Sequence, residues 1–175
     1  PDTACVTIEA FAAAATPATR AAIIVHLYGY VADVPAAQPD LVVIEDAAQA
    51  AGSLRGPTHS SAVAYSSYPT KNLGGIADGG AVVTDDPALA DRVRRLRGHG
   101  MTQQYVHEAV SQNFRMSELE AAWLRLGLPS LAADVAARRR IAARYREAAP
   151  QLRWQREHAA HSYHLCVFRT AARDE

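Results

Sequence analysis

The chain has 175 residues, 49% of them apolar and 21% charged, with 18 basic and 18 acidic side chains and a formal net charge of zero. That is about one domain of soluble, globular sequence, which excludes a disordered or fibrous chain. The balanced charge gives no general electrostatic reason to expect nucleic acid or an anionic membrane as a partner.

In chain order, the first apolar run is 22–27, β-branched-rich and about five residues long, followed by a second at 41–45 that ends on Glu45. Further runs lie at 62–66 and 80–84, each bounded by Gly, Pro or Asp, and all four read as buried strands. A helix is predicted over 87–97, with Leu89, Val93 and Leu96 on one stripe. The next covers 117–128, where Ser117 and Glu120 form an S-x-x-E capping box ahead of Leu119, Ala122, Trp123 and Leu126. A longer helix runs from a Ser130 cap to about Ala149 and stops at Pro150. Near-continuous apolar strands alternating with helices predict an α/β layer with both sheet faces covered. After Pro150, Leu152-Arg153-Trp154 and Tyr163 to Phe168 read as strand material opening a second, smaller domain.

Cys5 and Cys166 are far apart, with no CxxC or Cys/His metal spacing, so neither a disulfide framework nor a metal site is expected and a reducing compartment fits best. No run is long enough to cross a bilayer, and Pro-Asp-Thr-Ala at the start has no signal-peptide character. A cytoplasmic protein is expected, with the chain beginning inside a longer one, since Met is not its first residue.

Two constellations carry chemistry. Leu41-Val42-Val43-Ile44 leads into Glu45-Asp46-Ala47-Ala48-Gln49, which puts Asp46 at a strand's carboxyl end, where open α/β sheets collect ligands. Asp46 either holds a cationic ring nitrogen there or caps a helix beginning at Ala47. The second constellation surrounds Lys71, the single lysine among 18 basic residues. Only a primary amine condenses with an aldehyde to an imine, and a guanidinium cannot replace it. Lys71 follows Ser66-Ser67-Tyr68-Pro69-Thr70 and precedes Gly74, Gly75, Gly79 and Gly80, which permit positive φ and close backbone approach. The segment either presents its amine inward or forms two ordinary turns with an exposed lysine. A strand-end acid followed by a lysine on a glycine-flanked turn is the arrangement that clamps pyridoxal phosphate, imine at one end and pyridinium at the other.

Five ordered segments resemble the motifs of the DegT/StrS family of sugar aminotransferases: Val25-His26-Leu27-Tyr28-Gly29, Ile44-Glu45-Asp46-Ala47-Ala48-Gln49, Tyr68-Pro69-Thr70-Lys71-Asn72-Leu73-Gly74, Asp78-Gly79-Gly80-Ala81-Val82-Val83-Thr84, and Asn113-Phe114-Arg115-Met116-Ser117-Glu118-Leu119-Glu120-Ala121-Ala122. Tyr163-His164-Leu165 and Arg173-Asp174-Glu175 resemble that family's entry into its small domain.

The resemblance implies a fold-type I pyridoxal 5'-phosphate enzyme. It would work as a homodimer, moving an amino group from an amino acid, usually glutamate, onto a nucleotide-linked keto sugar in amino-sugar, polysaccharide or secondary-metabolite biosynthesis. Carried over, Lys71 would bind the cofactor as an imine, Asp46 would pair with the pyridine nitrogen and Gln49 would lie against the ring. Ser66 would bind the cofactor phosphate, and Asn113 would reach the phosphate of the partner subunit's cofactor. Related dehydratases carry histidine in place of this lysine, so Lys71 implies transamination.

By the same resemblance, residues 1–112 form the C-terminal part of a large domain, 113–150 the interdomain and dimer-interface helices, and 151–175 the start of a small domain. The family's large domain begins about a hundred residues earlier, with a phosphate-binding turn and a stacking aromatic, which makes this chain an internal fragment. Pro57-Thr58-His59-Ser60 departs from the family's usual glycine-containing loop, and Ile76-Ala77 from its usual Leu-Gly. Two other functions compete: a catalytically incompetent interaction piece, and a nucleotide-sugar oxidoreductase, for which no G-x-G-x-x-G follows a strand. The arginines at 92, 94, 95 and 97 and at 138–140 either meet a diphosphate or form solvated helix faces. His26 and His164 fall inside the family motifs without a catalytic assignment, and His26 reads equally well as a packed, hydrogen-bonded residue.

Overall fold

The structure, a computed structural model, describes residues 2–36, 40–53, 56–57 and 59–171. The Thr58 position of the loop departure and the terminal Arg173-Asp174-Glu175 lie outside the described residues. Four strands form one sheet in the order β1 (Ala21–Val25), β2 (Val42–Asp46), β3 (Ala62–Ser66), β4 (Gly80–Val83). The first three are parallel and β4 is antiparallel to β3. Each run expected from the sequence is thus a strand, although the first ends at Val25 and its last residues, His26 and Leu27, lie outside it.

Alternation decides which side chains are inside. On β1, Ala22 and Ile24 are buried and pack with Ala32 and Val43, flanked by Cys5, Phe11, Val34 and Leu41. Phe11 belongs to α1 (Ile8–Ala14), a helix capped by Thr7 Oγ1, which accepts from Ala10 N at 3.2 Å. The opposite face is bare in the described chain. Ile23 is 66% exposed, Val42 49% and Val82 47%. The expectation of a sheet covered on both faces therefore holds on one face only.

α2 (Pro87–Leu96) starts on Asp86, whose carboxylate accepts from Ala88 N and Leu89 N, with Pro87 at the first turn. A short hairpin, β5 (Met101–Gln103) with β6 (Val106–His107), turns on Tyr105 in the left-handed region. α3 (Glu118–Gly127) passes through a 3-10 turn directly into α4 (Leu131–Ala148). Two caps differ from expectation. Ser117 Oγ accepts from Glu120 N at 3.1 Å, but Glu120 does not return the bond, because its carboxylate is used elsewhere. Ser130 has helical angles and caps nothing; its hydroxyl has one proton to share between Gly127 O and Asp134 Oδ2, each at 2.9 Å. A continuous helical path needs no second N-cap.

Beyond α4, β7 (Arg153–Trp154) pairs antiparallel with β8 (Phe168–Arg169). The strand expected over Tyr163–Phe168 reduces to Phe168. The residues before it are instead held irregularly against α4: Arg139 Nε donates to His161 O at 2.8 Å and an Arg138 guanidinium nitrogen to Tyr163 O at 3.3 Å. Two of the three arginines in that run thus tie down backbone carbonyls.

His161 is fully buried. Its Nδ1 accepts from Tyr163 N, so Nε2 carries the proton and donates to Gln155 Oε1 at 3.1 Å. Gln155 in turn donates to Thr3 O, joining the two ends of the described chain. Burial pulls the imidazole down to about 4, with repulsion from Arg146, His158 and Arg139 adding to it. Unfolded, the same group protonates near 6.5. The unfolded state therefore binds more protons between these values, and the contribution of neutral His161 is full above pH 6.5 and lost as pH falls toward 4. We expect about 3 kcal/mol of stability to vanish across that window. Urea midpoints measured from pH 7 to 4 should fall more steeply for the wild type than for His161→Gln; parallel curves would refute this.

Candidate active site

β2 and β3 deliver a carboxylate and a hydroxyl to one place. Asp46 closes β2 and pairs in register with Ala64, two residues before Ser66 closes β3. Register parity puts Asp46 and Ser66 on the same face of the sheet. With strands about 4.8 Å apart and about 3.3 Å of rise per residue, their backbones lie about 8 Å apart. Both side chains are half-buried. Asp46 Oδ1 accepts from Ala48 N at 2.9 Å, which holds the carboxylate but leads into a turn; the helix considered after Ala47 does not form. Ser66 Oγ accepts from Tyr68 N at 3.2 Å.

Lys71, half-buried, sits in the loop that leaves β3 and returns as β4. The loop is pinched at its base, where Ser67 N donates to Gly79 O at 2.9 Å and Gly75 N to Ser67 O at 2.8 Å. Lys71 N closes a turn onto Tyr68 O at 2.8 Å. The four glycines serve close approach and not left-handed backbone. A Cβ on Gly74 would lie 2.3 Å from Pro69 O, one on Gly79 2.5 Å from Ser67 Oγ, and one on Gly80 2.4 Å from Tyr65 O. Positive φ occurs instead at Gly29, Gly52 and Gly100.

Gln49 follows Asp46 in the turn, and its Oε1 accepts from Tyr28 N, next to Gly29 with φ +94. Residues from the far end of the chain close over this corner. Ser162, fully buried, donates Oγ to Gln49 O at 2.8 Å and N to Gly29 O at 2.9 Å, while its carbonyl accepts from Asn72 Nδ2 at 3.2 Å. A Cβ on Gly29 would fall 2.1 Å from that Ser162 hydroxyl. One serine thus ties together the loops bearing Gly29, Gln49 and Lys71. Nearby, burial lowers the His164 pKa, and the positive charges of Lys71 and Arg138 lower it further. Sequence reasoning placed neither Ser162 nor Asn72 at the site; the Tyr163-His164-Leu165 motif beside Ser162 was the available signal.

Asn113 stands apart from these four. It is exposed, forms an isolated bridge with Gly98, and accepts on Oδ1 from Arg115 N and Nε. It lines a groove of about 800 Å³ with Arg94, Arg97 and Arg115, which none of Asp46, Gln49, Ser66 or Lys71 lines.

Below the site lies a buried network. His26 Nδ1 accepts from Ala32 N at 3.0 Å, so its Nε2–H donates to Glu45 Oε2 at 2.9 Å, and Ser60 Oγ donates to Glu45 Oε1. Both His26 and Glu45 are fully buried. His26 N also donates to Asp46 O, so this network supports the strand end that presents Asp46. The reading of His26 as a packed residue holds.

Asp46 and Ser66 at adjacent strand ends, with Lys71 in the loop that follows, make a donor set that would suit pyridoxal phosphate: an amine for the aldehyde, a carboxylate for the ring nitrogen and a hydroxyl for the phosphate. Among the described residues there is no group of three metal-ligating side chains, and no helix is long and apolar enough to cross a membrane.

The chain is similar to known proteins over most of its length. The EryC1 protein of Saccharopolyspora erythraea, described as an erythromycin biosynthesis sensory transduction protein, is 43% identical over 175 residues, covering 92% of this chain and 48% of that protein. The dTDP-3-amino-3,4,6-trideoxy-alpha-D-glucose transaminase of Streptomyces venezuelae is 48% identical over 141 residues, covering 75% and 37%. A crystal structure of S. venezuelae DesV in complex with a ketimine intermediate superposes with a TM-score of 0.87 at 37% identity, covering 99% of this chain and 50% of that one. The chain spans half or less of the length of these relatives. Its architecture is that of a fold-type I aminotransferase, α/β with a mostly parallel sheet. Over residues 1–175 it matches the profile of the DegT/DnrJ/EryC1/StrS aminotransferase family, and the chain belongs to that family.

Proposed function

We propose that the protein carrying this chain is a pyridoxal 5'-phosphate-dependent transaminase that moves an amino group from an amino acid, glutamate by preference, to the keto carbon of a nucleotide-linked sugar. The observation that carries this reading is the convergence of Asp46 and Ser66 on one face at adjacent strand ends, with the single lysine in the loop that follows. Relatives named as nucleotide-sugar transaminases support it.

When bound, the cofactor supplies an electron sink for the pair of electrons left on carbon as the donor's α-proton departs. The chain's own residues do the rest. Asp46 would hold a proton on the ring nitrogen by ion pairing. With the cofactor held, Lys71 would take the donor's α-proton on Nζ and give it back, acting as base and then acid. Gln49 would border the ring and Ser66 would bind the phosphate. Asn113, apart from these within one chain, reaches toward the cofactor of a partner subunit in a homodimer. We further propose a cytoplasmic protein, with residues 1–112 in the large domain, 113–150 in the interdomain and interface helices, and 151–175 entering the small domain.

The full-length protein, incubated with glutamate and a panel of nucleotide-linked keto sugars, should yield an amino sugar and 2-oxoglutarate with at least one of them. Absence of amine transfer across the panel, with cofactor bound, would overturn the assignment.

A further inference from the structure

Glu120 is the least expected residue around the lysine loop. The capping-box pattern assigns its side chain to its own helix, yet the structure sends it outward into the loop. The residue is 1% exposed, and Oε2 accepts from two consecutive backbone groups, Ile76 N at 2.9 Å and Ala77 N at 3.0 Å. Trp123, three residues further along the same face of α3, donates Nε1–H to Gly74 O at 3.2 Å. One helix therefore grips the loop on both sides of Gly75.

The fit is close enough to dictate the glycine. A Cβ on Gly75 would lie 1.6 Å from Glu120 Oε1. That oxygen is buried without a hydrogen-bond partner, as is Ser67 Oγ, and both flank Gly79, whose Cβ would lie 3.4 Å from the first and 2.5 Å from the second. A buried carboxylate is costly unless it is hydrogen-bonded, and here the two backbone N–H groups of Ile76 and Ala77 supply the bonds. The segment it holds begins five residues after Lys71. The connection between them is short and tight, because Gly74 packs against Pro69 O and Lys71 N bonds Tyr68 O.

We propose that Glu120 is a positioning residue for Lys71: by fixing the backbone at Ile76 and Ala77 it sets the direction in which the loop presents the lysine amine. This rests on the transaminase reading, in which that amine must meet an aldehyde and condense with loss of water. Glu120 touches neither partner and acts through the loop.

The test uses the full-length protein and two readouts. The first is the rate at which Lys71 becomes modified by pyridoxal 5'-phosphate, trapped by borohydride and quantified by peptide mass. The second is hydrogen exchange at the Ile76 and Ala77 amides. Glu120→Ala should slow modification by between about ten- and a hundredfold and speed exchange at those two amides. Glu120→Gln, whose amide oxygen can accept both N–H bonds, should restore the rate to within about twofold of wild type. Should Glu120→Ala fail to fold, Gly75→Ala displaces the carboxylate sterically and should slow modification likewise. A wild-type protein unmodified at Lys71 would overturn the functional reading and this inference with it. Modification of wild type together with an unchanged rate in Glu120→Ala or Gly75→Ala, or a Glu120→Gln as slow as Glu120→Ala, would overturn the inference alone.

Discussion

Lys71→Arg is expected to lower amine transfer by about a thousandfold or more while leaving the protein folded. Arginine preserves the positive charge and most of the side-chain length, and the chain uses it for the other 17 basic positions. What it lacks is a nitrogen that can both condense with an aldehyde and exchange protons near neutral pH. Any role of Lys71 as a mere surface cation would survive the change, so this substitution separates charge from amine chemistry more cleanly than truncation to alanine. The yellow absorbance of the protein after incubation with pyridoxal phosphate should be lost in parallel. Thermal midpoints should differ little, since Lys71 bonds Tyr68 O through its backbone N–H, a turn that needs no particular side chain. Retention of more than about a tenth of wild-type turnover would show that another group carries the proton.

The second large effect is structural and lies one layer deeper. His26→Ala should cost about 3 kcal/mol of folding stability. It removes the donor to Glu45 Oε2 and the acceptor for Ala32 N at once, in a place where both histidine and glutamate have no solvent access. Water cannot replace these bonds without opening the sheet. Ser60 Oγ still serves the other Glu45 oxygen, so Ser60→Ala should cost less, about 1 kcal/mol. Urea unfolding at pH 7 measures both, and a His26→Ala loss under about 1 kcal/mol would mean that the network relaxes freely.

The order of elements was largely legible because the strands are short, β-branched and sharply bounded, and because α2 and α3 carry real N-caps in Asp86 and Ser117. α1 gives little signal in the sequence: its Ala-rich stretch supplies Ile8 and Phe11 but almost no polar contrast, so its periodicity is faint. The direction of β4 and the bareness of one sheet face depend on partners in space, and local pattern carries neither. At the site, Asp46, Ser66 and Lys71 could be read because strand ends and amine chemistry are local facts. Glu120 and Ser162 could not. Glu120 bonds residues 43 and 44 positions away, and Ser162 bonds Gln49 across 113 positions. A short-range rule assigned Glu120 to its own helix, and the loop competed successfully for that carboxylate because two adjacent donors outweigh one frayed N–H. The glycines illustrate the same limit. Their presence announced a tight loop, while the reason, steric room for Pro69 O, Ser67 Oγ and Glu120 Oε1, needed the neighbours.

The central claim is that one amine, held by this loop, is where the cofactor attaches. Borohydride reduction of the full-length protein saturated with pyridoxal 5'-phosphate, followed by digestion and mass mapping, addresses it directly. The account predicts a single stoichiometric phosphopyridoxyl group on Lys71. A reduced protein carrying that group elsewhere, or carrying none, would contradict it.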